Sequence, residues 1–150
     1  MSLTPSEAFL QVVHGVSDRR FDELHELYAE RTDVRHPLAP GGMPALTTRD
    51  EVREHFARGA AWTPTVRFQP ADITIHETAD PEVIVAEFAY RGTVTATGEP
   101  FAIPCVFVWR VRDGQIVEAR DYIDHVTFAH FRGQLPQVIT RLQGGVPAGG

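Results

Sequence analysis

Two hydrophobic periods divide the chain. Up to about residue 60 apolar residues recur every three or four positions, and from Val66 onward they alternate. Thr4-Pro5-Ser6-Glu7 is a capping box with proline at the first helical position. Phe9, Val12, Val13 and Val16 follow at helical spacing until Ser17-Asp18, which predicts a first helix. Phe21 to Ala29 places Phe21, Leu24, Leu27 and Tyr28 on one face and acids on the other, predicting a second, short helix. Thr32 to His36 reads as a brief strand, and Pro37 to Gly42 as a rim loop that can be neither helix nor central strand. Thr48-Arg49-Asp50-Glu51 is another capping box, opening a third helix that carries Val52, His55 and Phe56 and stops at Gly59.

Val66 to Glu77, Val83 to Thr95, Phe101 to Arg112 and Gln115 to Ile123 are β-branched and aromatic runs. They are joined by Asp80-Pro81, Thr97-Gly98 and Asp113-Gly114. Such short connections dictate antiparallel neighbours, because a parallel crossover needs a dozen residues or more. Phe128 to Phe131 and Leu135 to Leu142 predict short closing turns. Helices followed by long strands define a segregated α+β class, in which a curved antiparallel sheet forms a cone and the three N-terminal helices cover its concave face. One domain over residues 1–143 with a flexible tail over 144–150 is expected.

Composition narrows the function classes. The 150 residues carry 14 Lys and Arg against 20 Asp and Glu, a net charge of −6, so a nucleic-acid partner is not expected. Cys105 is the sole cysteine, which excludes an intrachain disulfide or a multi-cysteine metal site. There is no His-Glu-x-x-His pattern, phosphate loop, serine elbow or dinucleotide fingerprint, so neither a metal nor a cofactor is expected. No apolar run is long enough to cross a membrane, and no secretory leader pattern opens the chain. A cytoplasmic location is expected.

Within the last strand, alternation sets Val117, Ala119, Asp121 and Ile123 on one face, leaving Asp121 alone in an apolar row. A carboxyl so placed is a general acid or base, or else is tied to a buried arginine or backbone amide. Asp124 points the other way and begins the turn before His125, as a helix cap does. On the strand from Val83, Arg91 shares a face with Glu87, Ala89 and Thr93, opposite Phe88 and Tyr90. Were that face inward, Arg91 would hold Asp121 ionised or bind a developing oxyanion; facing outward it would meet water or Glu87. His36, before the rim loop, is a candidate at the pocket mouth or a loop tether. Phe101, Ile103, Cys105, Phe107 and Trp109 form one strand face, across which Val13, Tyr28, Phe56, Trp62 and Phe128 would sit.

The element order, with Val106 to Val117 and then Ala119-Arg120-Asp121-Tyr122-Ile123-Asp124, resembles the SnoaL-like polyketide cyclase family. That family lies within the nuclear transport factor 2-like superfamily, beside ketosteroid isomerases and limonene epoxide hydrolases. The resemblance spans almost the whole chain and places the family's working aspartate at Asp121. It implies a cofactor-free cyclase, isomerase or related lyase or hydrolase. Its catalytic residues would be Asp121, Arg91 and His36. A small hydrophobic, polyketide- or terpenoid-like molecule would lie among Val13, Tyr28, Phe56, Trp62, Ile103, Cys105, Phe107, Trp109, Ile123 and Phe128. Epoxide opening is not implied: the acid those hydrolases carry two residues after the arginine is Thr93 here, and a tyrosine two residues before position 36 is Val34. The alternative is a non-catalytic ligand-binding or dimeric scaffold of the same fold. A homodimer through the outer sheet face, with Val106, Val108, Phe88, Tyr90 and Tyr122, is expected in either case.

Overall fold

The computed structural model describes residues 2–61 and 63–144; Trp62 and the predicted tail beyond residue 144 lie outside the described residues. Helix α1 spans Pro5–Ser17 and is capped as expected. The Thr4 hydroxyl accepts from the Glu7 N–H at 3.1 Å, and the Glu7 carboxylate accepts from the Thr4 N–H at 2.9 Å. It buries Ala8, Phe9, Val12 and Val13. Helix α2, Arg49–Ala60, starts on Thr48, whose side chain accepts from the Glu51 N–H.

The predicted second helix is instead a single 3₁₀ turn, Leu24–Leu27, running straight into strand β1, Tyr28–Arg35. Phe21 and Leu24 are buried, as the helical pattern required, but Tyr28, Thr32 and Val34 belong to an alternating buried row. Pairing with a neighbouring strand outweighs the weak helical propensity of so short a segment.

Strands β2 (Leu46–Thr48), β3 (Val66–Glu77), β4 (Val83–Val94), β5 (Pro100–Arg112) and β6 (Gln115–Ile123) complete a six-stranded, curved and unclosed sheet in the order β2-β1-β6-β5-β4-β3. β3 to β6 form the expected antiparallel meander. Asp113 and Gly114 both adopt positive φ, 51° and 77°, the tight turn that Asp-Gly favours. One pair is parallel: β1 runs alongside β6, with Val34 opposite Ala119 and Arg35 opposite Arg120. The chain between these two strands is long enough for that geometry, so the short-connection argument does not reach it.

α1 lies against β3 to β6, and α2 against β1 and β2. Phe9 meets Phe88, Phe107 and Trp109 edge-on at centroid distances of 5.3, 6.0 and 5.8 Å. Helices α3, His125–Phe131, and α4, Leu135–Leu142, follow β6, with α3 against β5 and α4 against α3. Among the described residues, no helix is long and apolar enough to cross a membrane.

Two assignments of strand face change. Pairing of Ala86 with Phe107, Phe88 with Cys105 and Tyr90 with Ile103 puts the β4 row Ile84-Ala86-Phe88-Tyr90 inside. Phe88 and Tyr90 are therefore core residues rather than outer-face ones, and Arg91 points outward. In β6 a bulge opposite Arg110 and Val111 carries Val117 out of the buried row, which runs Ile116, Ala119, Asp121.

Candidate active site around Asp121

Asp121 sits opposite Phe107 on the inner sheet face and is 7% exposed. Trp109, two residues further along β5, donates its Nε1–H to Asp121 Oδ1 at 2.7 Å. Oδ2 accepts no hydrogen bond among the described residues. Burial lifts the carboxyl from 3.8 to about 7, opposed in part by the Trp109 hydrogen bond.

The parallel β1–β6 pair brings His36 to this carboxyl. One step beyond the Arg35–Arg120 pair, His36 Nε2 lies 3.8 Å from Asp121 Oδ2. His36 is 8% exposed, and its Nδ1 is buried without a hydrogen-bond partner. Burial, with smaller contributions from His55 and His125, lowers its pKa to about 3. At neutral pH the pair is a carboxyl near its midpoint beside an uncharged imidazole, not an ion pair.

His55 and His125 complete the cluster. The His55 ring, from α2, lies 5.0 Å from that of His36 at 35°, and the His125 ring, at the start of α3, lies 6.1 Å away at 69°. Burial and Arg58 lower His55 to about 4, while burial and Arg132 lower His125 against the opposing pull of Asp124. Sequence scanning treats these histidines as scattered. The available signal was His55 between Val52 and Phe56 on the apolar face of the third helix; His125 carried none. Among the described residues no group of three His, Cys, Asp or Glu is arranged to hold a metal ion.

Arg91 is not part of this cluster. It lies on the outer face, where Nε donates to Asp72 at 2.7 Å with both side chains about 60% exposed. Of the two orientations open to Arg91 the outward one is found, so it forms no pair with Asp121, whose side-chain donor is Trp109. Asp124 caps α3: its carboxylate accepts from the Thr127 N–H at 3.1 Å and hydroxyl at 2.7 Å. The Cys105 thiol is pushed up to about 12 by burial and by Asp121 and Asp124, so it is a core residue with no thiolate chemistry.

Of the apolar lining, Val13, Tyr28, Ile103, Cys105, Phe107 and Trp109 are all within 4% exposure and packed together, with Phe128 at 9% and Phe56 and Ile123 partly buried beside them. A groove of about 660 Å³ opens on the outer side, bordered by Leu38, Val106, Tyr122, Ile123, His125 and Val126. A second, of about 650 Å³, runs between the end of α1 and the β3 edge. Neither is lined by Asp121 or His36.

A curved, unclosed sheet with helices across its concave side is the fold of the nuclear transport factor 2-like superfamily. Residues 7–119 match the SnoaL-like domain, and the chain belongs to that family. An uncharacterized PhzA/B-like protein of Pseudomonas aeruginosa is 36% identical over 100 residues, 65% of this chain and 67% of that one. The structure of a "putative isomerase" from Bacillus subtilis superposes with a TM-score of 0.74 at 22% identity, covering 87% of this chain and 93% of the other. That of a "putative polyketide cyclase" from Pseudomonas putida gives 0.65 at 15% identity, covering 86% and 98%. At these identities the two structures speak to the fold.

Proposed function

We propose that the protein is a cofactor-free acid/base enzyme, a cyclase or isomerase, acting on a small apolar molecule of polyketide or terpenoid type. The observation that carries this reading is Asp121. One oxygen is anchored by Trp109, the other is unbonded beside a neutral imidazole, and the carboxyl titrates at about 7. A group poised near the working pH takes a proton in one step and returns it in the next, which contributes on the order of 10² to 10⁴ in rate. As a carboxylate, Asp121 would remove a proton from a carbon acidified by a neighbouring carbonyl; as the acid it would deliver that proton elsewhere on the same molecule. His36 Nε2 faces the unbonded Oδ2 at 3.8 Å and would orient a proton carried there. Arg91, on the far side of the sheet, has no place in this step.

The test uses apolar cyclic ketones and enones in D₂O, with loss of the α-proton signal followed by NMR. The protein should accelerate exchange, and Asp121→Asn should lose about two to four decades of that acceleration while remaining folded. Full activity in Asp121→Asn would overturn the mechanism.

The dense apolar interior favours a second reading, a non-catalytic scaffold of the same fold. That reading expects no exchange with any ketone. Under both readings the outer sheet face, with the exposed Val106, Leu38 and Val126 around the 660 Å³ groove, is proposed as the interface of a homodimer.

A further inference from the structure

Trp109 is sealed in the core at 1% exposure, and its ring is held on three sides. Phe107 stacks on it at 5.5 Å and 13°, Phe9 meets it edge-on at 5.8 Å, and Tyr28 tilts against it at 6.3 Å. None of these contacts calls for a polar atom. Across the sheet Trp109 pairs with Ala119, and its indole leans two residues along β6, where Nε1 donates to Asp121 Oδ1 at 2.7 Å.

This bond is chemically one-sided. An indole nitrogen donates and never accepts, so Oδ1 has to be the acceptor whether the carboxyl is ionised or neutral. The proton of the neutral acid is therefore left to Oδ2, which makes no hydrogen bond among the described residues and has His36 Nε2 as a neighbour at 3.8 Å. In a free aspartate the two oxygens exchange places by rotation about the Cβ–Cγ bond; a short bond from a ring held on three sides opposes that exchange. A donor also binds the carboxylate more strongly than the acid, which is why the Trp109 bond works against the effect of burial on Asp121.

We infer that Trp109 is a positioning residue whose indole N–H holds Oδ1 as a permanent acceptor, so that Asp121 takes up and returns the reacting proton through Oδ2 alone. This role rests on the acid/base reading of Asp121. In the first step a C–H bond of the substrate breaks, its electron pair stays on the substrate as an enolate, and the proton forms the Oδ2–H bond. In the second step that bond breaks and the proton passes to another atom of the same molecule. Trp109 keeps its own proton throughout and acts only through the carboxyl. The other titratable groups that face Asp121 or feel its charge are His36 beyond β1, Tyr28 on β1, Tyr90 on β4 and Cys105 on β5. His55 and Arg58 on α2, and Asp124, His125 and Arg132 around α3, stand behind His36 and Cys105. Burial holds the imidazoles uncharged and the phenols and thiol protonated at neutral pH, which leaves the Asp121 carboxyl to set the pH response.

The experiment follows the ¹H–¹⁵N signal of the Trp109 indole against pH on the intact protein; Trp62→Phe tells it from the other of the two indoles. The signal should move downfield with a midpoint of about 7, matching a carboxyl ¹³C titration of Asp121. It should also stay protected from solvent exchange on both sides of that midpoint, because Oδ1 accepts in both states. A signal that does not follow the carboxyl, or an N–H that exchanges freely once the carboxyl is neutral, would overturn the role. Trp109→Phe should move the midpoint of the pH profile of α-proton exchange up by about one unit, which lowers the rate about fivefold at about pH 7 and leaves it near the parent's at about pH 9. An equal loss at every pH with the midpoint unmoved is what a merely structural ring would give, and it would overturn the role as well. Should that variant misfold, the indole titration of the parent decides. A parent that accelerates no ketone's exchange would overturn the acid/base reading of Asp121, whereas an active parent with a pH-independent indole signal would overturn the Trp109 role alone.

Discussion

Replacing Asp121 by asparagine isolates one large electrostatic quantity. The carboxyl moves from 3.8 to about 7 on folding, because burial disfavours its charge more than the Trp109 hydrogen bond favours it. Each pH unit is about 1.4 kcal/mol, so ionising Asp121 in the folded protein costs about 4 kcal/mol relative to the unfolded chain. The sign follows from the raised folded-state value. The folded protein binds this proton more tightly, so the stabilisation is fully present below about pH 4 and is lost as pH rises through about 7. Asparagine keeps an oxygen for the Trp109 N–H and never ionises. Asp121→Asn should therefore be close to the parent in stability at about pH 4 and more stable than it by up to about 4 kcal/mol at about pH 8. Urea unfolding followed by tryptophan fluorescence, on both proteins across that range, measures the difference, and the histidine contributions common to both largely cancel. A difference that stays flat within about 0.5 kcal/mol from pH 4 to 8 would refute the argument. An Asp121 held in a buried ion pair would give a third outcome, a variant destabilised by about 3 to 5 kcal/mol at neutral pH.

Three further results are expected. His36 and His55 are held at about 3 and about 4 rather than 6.5, so their stabilisation is present above pH 6.5 and lost as pH falls toward those values. His55→Gln should flatten the acid limb of the melting temperature by the equivalent of about 3 kcal/mol, and an unchanged limb would show that His55 is not buried as described. Arg91→Ala removes an exposed pair with Asp72, so it should change stability by less than about 1 kcal/mol and α-proton exchange by less than about twofold; a tenfold loss of exchange would restore Arg91 to the site. Val106→Glu places a charge in the outer-face apolar patch and should convert a dimer into monomer by light scattering, whereas a parent protein that is already monomeric at micromolar concentration would remove the dimer proposal.

The chain's own pattern determined most of the elements. The capping box at Thr4 and the Thr48 cap locate α1 and α2, because each satisfies backbone donors within one helical turn of itself. Asp113-Gly114 sets the β5–β6 turn, because the positive φ values it needs are a local cost. That Asp121 shares the inner face with Ala119 is legible from alternation alone, and so is the cap role of Asp124, whose partners are three residues away.

What local pattern leaves open is which way a strand faces and what stands next to it in space. Alternation divides β4 into two rows but does not say which is inside. Pairing of Phe88 with Cys105 decides that, and it turns Arg91 away from Asp121 toward Asp72. A bulge across from Arg110 shifts Val117 out of the row by one residue, a change no period-two reading registers. The Tyr28 segment reads as helix over nine residues and becomes strand because β6 offers it a parallel ladder. That pairing, made across more than eighty residues of intervening chain, brings His36 to Asp121, while α2 and α3 bring His55 and His125 to His36. Residues so far apart in sequence meet only after the sheet has curled. The carboxyl was therefore legible in the sequence, and its imidazole surroundings were a product of the tertiary fold.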